Sequence, residues 1–385
     1  MVGTAIPLDE IKRFEITEVY AHPDAKVDIV LVHGLNGDPR LTWTSKKGTF
    51  WPTQLLPASL KSAKARILVY GYNADVYAFG AKSASSDMIY QHAQSLVNNL
   101  ALERKSEETT ENSIIWVAHS LGGILVKRAL ELSNDLTNRN ADDNRNIFVS
   151  TYGIIFLGTP HNGADPAKWG IILQSMVNAL VPRKFMETES QMVKTLQSNN
   201  ETLQDINLRF LEIYQKFKVC MVHEAAKTDL KGTKMLIVDQ NSAGPLLPDV
   251  LYFGIEATHS DMCKFESKNS PGYLNVSTTI KSWVEESPRV IKARQGIEKR
   301  LRQQDAEAKA REMLGIYEGA QSITQSPHGS HENTHGINTP GTSHQNQGGL
   351  RAQESRPPPL LVAPHSRGSS PGFEVEEMES EMASK

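Results

Sequence analysis

The sequence predicts an α/β protein with a mostly parallel sheet and helices on both faces. Apolar runs of strand length recur at 27–33 (VDIVLVH), 66–72 (RILVYGY), 114–118 (IIWVA) and 152–158 (YGIIFLG). They do not alternate with polar residues, which marks strands covered on both sides. Helix-period stretches lie between them, the pattern of repeated strand–helix–strand units.

Taken in order, residues 14–20 (FEITEVY) read as the first strand and 27–33 as a buried central strand that stops at Gly34. The loop GLNGDPRLTWT that follows is rich in turn formers. Residues 51–60 suit a short helix and 66–72 the next strand. Residues 84–103 are helical by period, with Met88, His92, Leu96, Leu100 and Leu102 assigned to one face. The strand 114–118 runs into Ser120 and a helix, LGGILVKRALELS, and 152–158 is a fourth core strand. Residues 166–215 then read as several amphipathic helices without a core strand, the appearance of a helical lid insertion; the alternative is a plain structural insertion. FKVCMVH (217–223), MLIV (235–238) and VLYFGI (250–255) read as strands, and 277–286 as a closing helix.

Past Pro288 the composition changes. Residues 289–319 suit a charged helix, with Val290, Ile297, Leu301 and Ala308 as a thin apolar stripe. Residues 320–385 are expected to be a disordered tail with an acidic end, FEVEEMESEMASK, because that composition cannot bury enough apolar area to offset the entropy of ordering. The domain expectation is therefore 1–288, 289–319 and 320–385. A net charge of −3 gives no electrostatic case for nucleic acid. Two cysteines, Cys220 and Cys263, fit neither a disulfide framework nor metal-ligand spacing, which favours a reducing compartment. No basic-then-apolar leader opens the sequence and no window approaches a membrane span. The expectation is an intracellular protein, cytoplasmic or peripheral to a mitochondrial or endoplasmic reticulum membrane.

The sharpest chemical signal is Ala118-His119-Ser120-Leu121-Gly122-Gly123, at a strand end that opens a helix. A nucleophile elbow needs that context: the serine sits in a strained turn, and its neighbours two before and two after must be small. Ala118 and Gly122 are small. The plain alternative is a serine N-cap. His33 and Gly34 end an early strand, so the backbone amides of Leu35 and Leu121 are the two candidate oxyanion donors; the alternative there is an ordinary turn. A serine hydroxyl needs a base, and this fold orders its triad Ser, acid, His. His259 follows the last strand, where the base belongs. His161 comes too early, His223 lies inside a strand, and the histidines from 328 on sit in low-complexity sequence. For the acid, Glu224 directly after FKVCMVH is favoured over Asp239 after MLIV, with Asp229 in the loop between; any of them could be a solvated surface charge. These features point to the α/β-hydrolase fold and to hydrolysis of ester-type bonds, with no cofactor and no metal.

LVHGLNGD, WVAHSLGG, FLGTPHNGA and the Thr258-His259…Cys263-Lys264-Phe265 run together resemble the serine-esterase and lipase-like α/β-hydrolases related to the GPI inositol-deacylases, in the fungal branch often fused to NACHT or ankyrin-repeat proteins. The resemblance spans roughly residues 15–285. It implies Ser120 as nucleophile, His259 as base, Glu224 at an acid position, and a small-molecule or lipid ester as substrate. Two other functions stay open: a non-catalytic signalling module, and remodelling of a GPI or phospholipid through peripheral membrane contact. A protein partner for the C-terminal tail is not defined by the sequence.

Overall fold

The computed structural model describes residues 3–61, 63–74, 85–136, 141–161, 172, 175–176, 200–230, 233–238, 240–244 and 246–324. The chain divides into two units, Met1–Gln321 and Ser322–Lys385. The first holds an eight-stranded sheet.

Its strands are β1 (Thr4–Ala5), β2 (Glu15–Ala21), β3 (Val27–Val32), β4 (Ala65–Gly71), β5 (Ser113–His119), β6 (Thr151–Leu157), β7 (Lys218–Glu224) and β10 (Val250–Ile255), in the order β1-β2-β4-β3-β5-β6-β7-β10. β1 and β2 pair antiparallel, as do β2 and β4; every pairing from β4 to β10 is parallel. A separate hairpin joins β8 (Thr228–Leu230) to β9 (Thr233–Met235). This strand order, with its antiparallel second strand, is that of the α/β-hydrolase fold.

The period-2 geometry of strands sorts the apolar residues to two faces. Val30, Val32, Trp116, Ala118 and Phe156 face a layer built from α3 (Ser85–Ser106), α4 (Leu121–Asp135), α5 (Asp142–Ser150) and α6 (Asn200–Ile213). Ile29, Leu31, Ile115, Val117 and Leu157 face α1 (Trp51–Gln54), α2 (Leu56–Leu60) and α8 (Tyr273–Thr324). A last short helix, α7, spans Gln240–Ala243. The parallel register brings Val32 beside Ala118, His119 beside Leu157, and Ile255 beside Glu224. The C-terminal ends of five strands thus lie along one edge, where ligands of open α/β sheets bind.

Several expectations change. MLIV is not a core strand. Met235 closes the small hairpin, and the amides of Ile237 and Val238 turn to the Glu224 carboxylate instead of a ladder. Leu102 is 65% exposed, off the buried face made by Ala93, Leu96, Val97 and Leu100. The closing helix begins at Tyr273 and continues through Pro288 to Thr324 as one element. Its apolar stripe thins where Ile297 and Leu301 become exposed. β1 and α5 had no expectation. Of the lid range 166–215, only 172, 175, 176 and 200–215 are described, and the tail from 325 lies outside the described residues.

Candidate active site

β5 ends at His119, and α4 starts at Leu121. Ser120 between them has φ 55 and ψ −127, a conformation L-residues rarely adopt. Packing holds it there. Its amide donates to Leu157 O at 2.9 Å, and its carbonyl accepts from Thr159 Oγ1 at 3.0 Å. The small neighbours are required by contact: a Cβ on Gly122 would stand 2.3 Å from His33 O. Such a turn leaves the side chain pointing out of the sheet edge.

His259 lies beyond β10, and its Nε2 is 3.0 Å from Ser120 Oγ. Its Nδ1 stands 3.0 Å from Glu224 Oε2, close but not aligned as a hydrogen bond. Catalytic contacts often tighten only when substrate is bound. Glu224 ends β7 and is fully buried. Its Oε1 accepts from Val238 N at 2.9 Å and from Ile237 N. The structure therefore brings Ser120, His259 and Glu224 together; Asp239 lies outside the described residues, and Asp229 sits on the β8–β9 hairpin in register with Lys234.

Leu121 opens α4, so its N–H has no partner inside the helix. Leu35 follows Gly34, which packs so closely on the elbow that a Cβ there would lie 2.7 Å from Ser120 Cβ and 3.3 Å from its Oγ. Behind this loop His33 is buried, donates from Nδ1 to Gly34 O at 3.0 Å and stacks on Tyr72 at 4.4 Å. Burial holds the imidazole down to about 4, so it is neutral at pH 7 and keeps that donor geometry. His119 is also buried, donates from Nε2 to His259 O at 2.9 Å, and burial holds it down to about 3. Cys263 nearby is buried and free, its thiol pushed up to about 12 by burial.

Four further residues contribute to the site. Met176, from the inserted region, is fully buried with its Sδ 3.8 Å from Ser120 Oγ; nothing in the sequence pattern marks it. Thr159 supports the elbow from within the FLGTPHNGA motif, where its role was unread. Ile237 and Val238 hold the Glu224 carboxylate through backbone atoms, which no side-chain motif records.

The chain thus presents a serine, a histidine and a glutamate in contact at the strand ends of an α/β-hydrolase fold. No family model matches it. It is similar to the Protein SERAC1 of Danio rerio, 27% identical over 267 residues that cover 64% of this chain and 37% of that protein. The human Protein SERAC1 is 23% identical over 268 residues, with the same coverage. The chain thus spans 37% of the length of these relatives. Solved structures with likeness include a carboxylesterase from Nitrososphaera gargenis (14% identity, TM-score 0.40, 70% of this chain and 94% of that one) and a peroxisomal α/β-hydrolase of Saccharomyces cerevisiae (9%, TM-score 0.41, 69% and 80%). At these scores they add nothing to what the strand order already says. The finer placement beside the GPI inositol-deacylases is not carried by these likenesses. Among the described residues, no helix is long and apolar enough to cross a membrane.

Proposed function

We propose that the protein is a serine hydrolase that cleaves carboxylic esters through an acyl-enzyme. The observation that carries the reading is the 3.0 Å contact between His259 Nε2 and Ser120 Oγ at a strained strand-to-helix turn. His259 takes the hydroxyl proton as Oγ attacks the ester carbonyl carbon. The carbonyl electrons move onto oxygen, and the N–H groups of Leu35 and Leu121 receive the developing charge. The imidazolium returns the proton to the leaving alkoxide as the C–O bond breaks. Water, deprotonated by the same ring, then releases the acid and regenerates Ser120. Glu224 orients the ring and stabilises its cation. The thioether of Met176 is buried 3.8 Å from the nucleophile's oxygen, which favours an acyl chain over a polar group there.

One observation favours a second reading, a binding module that does no chemistry. Ser120 is only 2% exposed, beneath Met176. A screen of p-nitrophenyl esters and phospholipid vesicles, with Ser120→Ala as control, decides between the two. Hydrolysis by the wild type that is lost in the variant supports the enzyme; equal background rates in both support the module. Flotation of the protein with the same vesicles reads lipid-surface binding separately.

A further inference from the structure

A second buried polar cluster lies beside the elbow. Lys127 sits roughly two turns along α4 from Ser120. Its Nζ is buried, 5.3 Å from the ring centre of Phe156 and 5.1 Å from that of Phe210. It donates to His161 Nδ1 at 2.8 Å and to the side-chain oxygen of Asn207 on α6. With Nδ1 facing the amine, His161 Nε2 meets no partner among the described residues, and neither does Asn207 Nδ2. Burial pushes the Lys127 amine down to about 7, and burial together with the facing amine holds His161 well below the ordinary histidine range. A buried amine with two unpaired polar neighbours is costly to the fold.

What the cluster grips is the segment 158–161. Gly158 turns at φ +59, close enough that a Cβ on it would stand 3.1 Å from the His259 ring. Thr159 Oγ1 donates to the carbonyl of Ser120. The backbone amide of His161 donates to Ser242 O at 2.7 Å. Ser242 belongs to α7, which closely follows the two residues whose amides hold Glu224. The segment therefore bonds to the nucleophile's backbone through Thr159 and to α7 through His161, with Gly158 packed near the base's ring, and Lys127 holds its last residue.

We infer that Lys127 and His161 are positioning residues for this site, fixing segment 158–161 so that nucleophile, base and acid keep their mutual geometry. The inference rests on the reading of Ser120 as a nucleophile. Lys127→Met keeps the length and apolar stem while removing the amine. Displacements of about 1 Å at a reacting centre cost on the order of a hundredfold in rate. With p-nitrophenyl butyrate, Lys127→Met lowers kcat about tenfold or more, leaves KM within about twofold, and does not lower the melting temperature. His161→Leu behaves alike, and the double variant falls no further. His161→Asn, which keeps an acceptor near the Nδ1 position, recovers most of the loss. A folded Lys127→Met enzyme with wild-type kcat overturns the inference, as does a loss that only tracks melting temperature. If Lys127→Met does not fold, the contrast between His161→Leu and His161→Asn decides in the same way. If the wild type hydrolyses no ester above the Ser120→Ala background, the proposed function has failed instead. The linkage is then read by hydrogen exchange: faster exchange in Lys127→Met or His161→Leu at both 158–161 and 237–243 upholds it, and change confined to 158–161 overturns it.

Discussion

The two oxygens of Glu224 have separate partners, and this geometry is the reason Glu224 is proposed as the acid. Oε1 is held by two backbone amides, while Oε2 faces the base. Glu224→Gln either keeps its oxygen on the amides and presents an NH₂ to Nδ1, or presents a neutral oxygen to Nδ1 and turns its NH₂ toward the Ile237 and Val238 donors. Either weakens the hold on the ring tautomer that leaves Nε2 free to accept the serine proton. Loss of the comparable acid elsewhere lowers kcat by about ten-thousandfold. We expect a fall on the order of a thousandfold or more for Glu224→Gln, and less than about tenfold for Asp239→Asn. Steady-state rates on one ester check this, and a larger loss at Asp239 would move the assignment there. His259→Ala should cost nearly as much as Ser120→Ala, with His161→Ala and His119→Ala milder. Burial also makes a pH statement. His33 and His119 titrate lower in the folded chain than in the unfolded one, so the unfolded chain binds more protons below about pH 6.5. Their contribution to stability is present above that pH and is lost as pH falls toward 4. Urea midpoints between pH 7 and pH 4.5 should drop, and less so in a His119→Gln variant. Ser120 and His259 were readable from sequence because strand, small neighbours and chain order each point to them. Glu224 is favoured there over Asp239 only by its place at a strand end, because the amides of Ile237 and Val238 that hold it are not displayed by a sequence.

At the scale of elements, the elbow depends on contact between β3, β5 and α4. A Cβ on Gly122 would lie 2.3 Å from His33 O and 2.6 Å from Val32 O, both backbone atoms that cannot swing aside. Gly122→Ala should therefore destabilise the protein by about 1–3 kcal/mol and reduce activity more than that loss of stability explains. Denaturant unfolding beside the ester assay measures both, and an unchanged midpoint would contradict the packing argument. The core strands were legible because β3, β5 and β6 are buried along their whole length and so read as unbroken apolar runs. MLIV misled because apolar content alone does not say where its amides bond. The continuity of α8 was hidden by Pro288, which lacks an N–H and normally ends a helix. Burial of Val284 before it and Ile291 after it anchors the helix on both sides. Asp28 also went unread inside VDIVLVH. It is fully buried in β3, bonded to Arg66 Nε at 3.0 Å, Arg104 Nη1 at 2.9 Å and Asn112 Nδ2 at 2.9 Å. Removing one partner of such a buried pair costs about 3–5 kcal/mol, so Asp28→Ala should unfold at markedly lower denaturant with no direct contact to the site.

For the whole molecule, the sheet, both helical layers and the Ser120 site lie in the unit Met1–Gln321. Deleting residues 325–385 should leave ester hydrolysis within about twofold of the full chain, since their Ser-, Gly-, Pro- and Gln-rich composition cannot support a core; loss of folded protein or of activity would contradict this. The central claim is that Ser120 is a nucleophile and not a capped turn. The direct measurement is covalent labelling with a fluorophosphonate, followed by mass spectrometry of the labelled peptide. One adduct is expected, on Ser120, faster in Met176→Ala because the thioether no longer covers the oxygen, and absent in Ser120→Ala and in His259→Ala. A folded wild-type protein that takes up no label, with or without Met176, or that is labelled elsewhere, would contradict it.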